Sequence, residues 1–193
     1  MSRAELDAEH GGSQNTDREV LLMATEKGGS ARRMEVQGLM MDPTSKTPIV
    51  ILREEGGGEA ELPIWIGAFE ANAIAISLEG VEVPRPMTHD LLGDILLAAR
   101  AAVEKILIHD LAESTFFATI VLQVGDSGEV VELDSRPSDA IALALRAQAP
   151  IYVLERVLAA VQRTDVEADG SERGRLREWL EDASSDDLGD YEM

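Results

Sequence analysis

Two Arg-Pro pairs stand just ahead of helix-like segments in this chain. Arg85-Pro86 precedes Met87-Thr88-His89-Asp90, and Arg136-Pro137 precedes Ser138-Asp139-Ala140. Proline presets the backbone at a first helical turn, and helix N-termini attract anions. An arginine there can grip two oxygens of one phosphate group, so Arg85 and Arg136 are the candidate substrate-binding residues. The competing role for each is an ion pair with a nearby acid. His89 is a candidate general acid or base, or a metal ligand, because imidazole titrates near neutrality. As a helix-start residue it could equally bond to backbone. His109 precedes Asp110 at a strand end and ranks below it, and His10 lies in a terminal arm. The carboxylates of interest are Asp90, Asp134 and Asp139, with Glu70 behind them. Acids in a first helical turn also cap backbone N–H groups and complement the helix dipole, and this is the competing role of Glu70 and Asp139. Ser135 and Ser138 read as caps, since no base adjoins them and no G-x-S-x-G surrounds them. Walker A, G-x-G-x-x-G and H-E-x-x-H patterns are absent, and Gly56-Gly57-Gly58 reads as a hairpin tip.

The elements that must position these residues follow from hydrophobic periodicity. Glu35–Met40, Pro48–Arg53 and Leu62–Ile66 read as strands, separated by a Pro-containing turn and a glycine loop. Gly67 opens an alanine-rich helix to about Glu79. Val81–Val83 reads as a short fourth strand. Thr88 then caps an amphipathic helix carrying Leu91, Leu92, Ile95, Leu96, Ala99 and Val103 at helical spacing. In the second half Lys105–Ile108, Thr115–Val124 and Glu129–Leu133 read as strands. Ser138–Ala147 reads as a helix, Pro150–Leu154 as a strand, and Glu155–Gln162 as a final helix.

Ile66–Leu78 aligns without a gap on Leu133–Leu145, an offset of 67 residues. The expectation is therefore an α+β fold built from a β-β-β-α-β-α unit used twice, with halves at about 34–103 and 104–162. Its sheet is mixed or mostly antiparallel, with helices packed on it. Both repeat helices are apolar almost all round, so either other layers or a second subunit must cover them. This raises the expectation of a homo-oligomer.

Flanking segments differ in character. Residues 1–33 read as a mobile arm, with one short helix possible at Asp17–Glu26. Residues 163–193 read as an acidic tail with a short helix around Leu176–Leu180. Of 193 residues 45% are hydrophobic, enough for a real core, and none is cysteine. Disulfides, thiol nucleophiles and Cys-ligated metal sites are thereby excluded. A polar start and the lack of a long apolar stretch point to the cytoplasm and away from a membrane.

Charge argues against simple phosphate neutralisation. The net is −20, with 4 bases against 11 acids from Arg163 onward and 5 against 6 up to Arg33. That leaves −12 on residues 34–162, where a nucleic-acid binder normally carries a basic stripe. The basic residues there are Lys46, Arg53, Arg85, Arg100, Lys105, Arg136, Arg146 and Arg156.

Three blocks carry a family likeness: Leu62-Pro63-Ile64-Trp65-Ile66-Gly67 with Glu70-Ala71 and Ala73-Ile74-Ala75, then Arg85-Pro86-Met87-Thr88-His89-Asp90-Leu91-Leu92, then Asp134-Ser135-Arg136-Pro137-Ser138-Asp139-Ala140-Ile141-Ala142-Leu143. In this order they resemble the bifunctional nuclease domain family over about Met34 to Gln162. The resemblance implies cleavage of both DNA and RNA, and it supplies no settled set of active-site residues. Phosphodiester hydrolysis commonly uses one or two Mg²⁺ or Mn²⁺ ions held by carboxylates. On that reading Asp134, Asp139 and Glu70 are the candidate metal ligands, and His89, Asp90, Asp134 and Asp139 the catalytic set. The alternative is a non-catalytic oligomeric module in which the Arg-Pro turns bind a small anion or a partner.

Overall fold

In the computed structural model the described residues are 29–125 and 127–167. The expected helices at Asp17–Glu26 and Leu176–Leu180 and the acidic tail beyond residue 167 lie outside them. The elements run β1 (Ala31–Met41), β2 (Pro48–Glu54), β3 (Glu61–Trp65), α1 (Ala68–Leu78), α2 (Thr88–Ala98), β4 (Ala101–Ala112), β5 (Thr115–Val124), β6 (Glu129–Ser135), α3 (Pro137–Ala147), β7 (Ile151–Leu154) and α4 (Glu155–Glu167). The seven strands form one sheet in the order β3-β2-β1-β7-β4-β5-β6. Every pairing is antiparallel except β4 with β7, so the sheet is mixed and the fold α+β, as expected.

The apolar run Pro48–Leu52 is buried throughout, because both faces of β2 are covered. Side chains alternate across a strand. Val50 and Leu52 accordingly join the main core, whereas Ile49 and Ile51 pack with Met40 in a second cluster. Between the two strand triplets lies β7, with Ile151 to Leu154 all buried. It pairs with Met34–Ala31 on one side and Ile106–Ile108 on the other. Helices α1 and α3 pack on each other and on this sheet. Ala71, Ala73 and Ala75 on α1 and Ala140, Ala142 and Ala144 on α3 are buried, whereas Ala68 and Ala147 at the outer ends are exposed. Layers of the same chain therefore cover the all-apolar helices.

Several expectations are corrected. Val81–Val83 is not a strand: the segment lacks regular structure, and Val81 is exposed. The first half thus lacks the fourth strand of the expected unit. Val103 is not on the helix but on β4, which starts at Ala101. The break falls at Arg100, whose φ of 55° is left-handed, a conformation usually left to Gly or Asn. The first strand begins at Ala31, so residues 31–33 belong to the sheet and not to an arm. Thr88 is the first helical residue and Met87 the cap. Helix starts Ala68 and Pro137 lie 69 residues apart, not 67. Counted this way, Glu70 and Asp139 each occupy the third helical position.

Helix α2 buries no residue completely. Leu91, Ile95 and Leu97 are more than half exposed, and Phe69 at the start of α1 is 90% exposed. Among the described residues no helix is long and apolar enough to cross a membrane.

Candidate functional site

The N-termini of α1 and α3 meet at a cleft of about 250 Å³. Its polar lining includes Glu70, Arg136 and Ser138, and its apolar wall includes Ile64, Trp65 and Phe116. Neither helix has a side-chain cap: Gly67 precedes α1, and Arg136 precedes α3 with Pro137 at its first position. The first N–H groups of a helix have no carbonyl of their own helix to bond, and the dipole places partial positive charge there.

Arg136 organises the acids. Its side chain is 66% exposed. Its Nε donates to Asp139 Oδ2 at 2.7 Å and its Nη2 to Asp139 Oδ1 at 3.2 Å, while Nη1 donates to Glu70 Oε1 at 2.9 Å. Glu70 can fold back over its own helix start because Gly67 lacks a side chain. A Cβ on Gly67 would lie 2.3 Å from Glu70 Oε2. Asp139 also meets His89, whose Nε2 stands 3.3 Å from Oδ1. The His89 side chain is only 14% exposed. Burial pushes the Asp139 carboxyl up, but Arg136 and then His89 outweigh it, and its pKa falls below the ordinary value. The guanidinium in turn is held more basic, by Asp139 first and then by Glu70.

Asp90 has both oxygens engaged elsewhere. Oδ2 accepts from the Met87 N–H at 2.8 Å, and Oδ1 accepts from Arg146 Nε at 2.5 Å. Arg146 Nη1 also donates to the Ala142 carbonyl at 2.8 Å. This tie fastens the start of α2 to the last turn of α3. The Met87 N–H is the main reason the Asp90 carboxyl titrates low; burial opposes it and Arg146 reinforces it.

The expected residues are thus divided. Glu70, His89, Arg136 and Asp139 form one chain of contacts, of which Glu70 and Arg136 line the cleft and His89 and Asp139 lie behind it. Asp134 does not join them: it is exposed on β6, opposite Thr119. Arg85 is exposed in the segment before α2 and does not line the cleft. Ser135 and Ser138 are not caps, since α3 has no side-chain cap; Ser135 Oγ donates to the Arg136 carbonyl at 3.0 Å. The expected metal ligands do not fit a cation as they stand. Glu70 and Asp139 converge on a guanidinium, Asp134 is elsewhere, and no three His, Asp or Glu side chains among the described residues could hold a metal ion.

Sequence reasoning passed over three contributors. Arg146 is legible only as a basic residue in the last turn of α3, and its partner is 56 residues away. Trp65 lines the cleft with its indole N–H held by Asp42 Oδ2 at 3.0 Å. Asp42 sits 4% exposed in the β1–β2 turn and also accepts from the N–H groups of Thr44 and Ser45. Gly67, directly ahead of a helix with an acid three residues on, is the one local signal that could have been read.

Among the described residues several basic side chains are engaged away from the cleft. Lys105 is buried against Glu104 at 3.0 Å, Arg53 pairs with Glu61, and Arg156 donates to the His109 carbonyl.

The family model for the bifunctional nuclease domain matches residues 50–165. An uncharacterized protein of Mycobacterium tuberculosis is 38% identical over 164 residues, 80% of this chain and 96% of that protein. Bifunctional nuclease 1 of Oryza sativa subsp. japonica is 27% identical over 62% of this chain and 38% of its own length. Bifunctional nuclease 2 of Arabidopsis thaliana is 29% identical over 54% of this chain and 32% of its own. The family model spans more than half of the chain, and this chain belongs to the bifunctional nuclease domain family.

Proposed function

We propose that the chain is a nuclease that hydrolyses phosphodiester bonds of DNA and RNA at the contact chain Glu70–Arg136–Asp139–His89, which borders the cleft between α1 and α3. One observation carries the reading: Asp139 holds both an exposed guanidinium and an imidazole. Arg136 is suited to gripping phosphate oxygens, since only three of its five N–H groups are engaged by acids. Asp139 orients His89. In the reaction a water oxygen attacks phosphorus and His89 takes the water's proton. The bond from phosphorus to the departing nucleoside oxygen breaks, and that oxygen takes a proton from solvent. Asp90 acts by position, fixing the α2 turn that carries His89. Asp134 and Arg85 have no part in this scheme. No step runs through a metal ion, because a Mg²⁺ or Mn²⁺ ion at Glu70 and Asp139 would have to displace Arg136.

A second reading has its own support. The guanidinium is already neutralised by two acids, which suits an anion- or partner-binding module without catalysis. We also propose a homo-oligomer, now on the exposed apolar residues of α2 and not on α1 and α3.

The test is cleavage of single-stranded DNA, duplex DNA and RNA by the full chain with Mg²⁺, Mn²⁺ or EDTA. His89→Ala is expected to lose roughly 10²- to 10⁴-fold in rate, while Asp134→Ala retains it. Equal cleavage by His89→Ala would refute the assigned site, and no cleavage by the full chain would favour the binding module.

A further inference from the structure

Ser138 is the second residue of α3 and is only 7% exposed, yet it lines the cleft. Its hydroxyl makes no hydrogen bond with any described residue and does not cap its helix. The hydroxyl is not sealed off: among the described residues the fully buried side-chain polar atom without a partner is Glu104 Oε2, so Ser138 Oγ stays open to a ligand. The N–H groups of Ser138 and Asp139 beside it lie at positions with no intrahelical acceptor. The helix bond from Ala140 N to the Arg136 carbonyl, at 3.1 Å, is the first that closes. The hydroxyl and these two N–H groups therefore lie together at the positive end of an 11-residue helix, where Arg136 and Ser138 line the cleft.

The charge of the cleft narrows what fits. Glu70, Asp139 and Arg136 together carry a net charge of −1 when His89 is neutral, so a dianion meets net repulsion. A group with one negative charge and two free oxygens meets less of it and still satisfies the donors. The cleft, at about 250 Å³, lies below the roughly 300–1,000 Å³ typical of drug-sized ligands. It has room for one phosphate linkage and part of a nucleoside against Trp65 and Phe116.

We propose that Ser138 contacts the ligand, its hydroxyl and the start of α3 forming with Arg136 a subsite for a monoanionic phosphodiester linkage, in preference to a terminal phosphate monoester. This rests on the cleft being the functional site but not on its being catalytic.

Isothermal titration of the full chain with the dinucleoside monophosphate dTpdT, with thymidine 5′-monophosphate and with inorganic phosphate tests it. The dinucleotide is expected to bind more tightly than either dianion at pH 8. Ser138→Ala should weaken dTpdT binding roughly tenfold and leave the melting temperature unchanged or raised, since no protein bond is lost. Unchanged dTpdT affinity in Ser138→Ala would overturn the assignment while leaving any measured cleavage, and so the nuclease reading, intact. A clear fall in melting temperature would mark Ser138 as structural and also overturn it. Absent dTpdT binding, or tighter binding of the monophosphate, would do the same.

Discussion

Substituting Gly67→Ala separates the electrostatics of the cleft from the stability of the fold. The new Cβ would stand 2.3 Å from Glu70 Oε2 and 3.1 Å from its Cδ. Backbone need not move, because φ at Gly67 is −74° and the obstructing group is the end of a flexible side chain. Glu70 must therefore swing out and release Arg136 Nη1. The ion pair lost is 66% exposed on one side and 21% on the other, and such pairs are worth about 0.2–1 kcal/mol. Replacing Gly where the backbone tolerates Ala returns about 0.4–1 kcal/mol through the unfolded chain. Net stability should thus change by less than about 1 kcal/mol. Binding should change more. A unit charge about 5 Å away acts with about 3 kcal/mol at an effective dielectric constant near 20, cut to about 1–2 kcal/mol by screening. Removing Glu70 from the cleft should then tighten dTpdT binding roughly 5- to 30-fold. Calorimetric titration reads the affinity and urea unfolding reads the stability. In a Glu70→Gln background the same Gly67→Ala change should have little further effect. Weaker binding, or a full additive gain on top of Glu70→Gln, would refute the reasoning.

Further outcomes follow from the other contacts. Asp90→Ala should destabilise the fold by roughly 2–4 kcal/mol in urea unfolding, because α2 loses its cap and Arg146, 12% exposed, is left without its partner. Asp90 and Asp139 both titrate below their ordinary value of 3.8 in the folded chain. Their stabilisation is full above that unfolded value and is lost as pH falls through the folded one. Unfolding free energy should therefore be flat above about pH 5 and fall below about pH 4, and the fall should shrink in Asp90→Asn. A chain begun at Met34 should be less stable than one begun at Gly29 by at least about 2 kcal/mol, judged from the hydrogen bonds removed. It loses the pairing of Ala31–Arg33 with Leu154–Tyr152 and the links from Arg32 to Glu54 at 2.9 Å and Glu155 at 3.3 Å. Equal thermal unfolding of the two chains would contradict that account.

Local pattern alone determined most elements of this protein. The β-branched run Pro48–Arg53, the strand Thr115–Val124 and the alanine-rich helices after Gly67 and Arg136 were legible because burial period and turn chemistry act over a few residues. Family membership was legible too, in blocks of types and spacings. Val81–Val83 shows the limit: its composition suits a strand, but a strand needs a partner, and the segment pairs with no described strand. Arg100 shows another, since a left-handed residue that is neither Gly nor Asn leaves no mark in sequence. The insertion of β7 between β1 and β4 is a non-local choice, decided by packing two strand triplets around one buried segment. The site was decided the same way. Glu70 and Arg136 are 66 residues apart, His89 and Asp139 50, and Asp90 and Arg146 56. Sequence could nominate these side chains by chemistry. Only the close approach of α1 and α3 across small alanines, with α2 tied to α3 by Asp90 and Arg146, selected which nominees meet. The same packing left Asp134 on an exposed strand and Arg85 outside the cleft, because charge and residue type carry no record of distance.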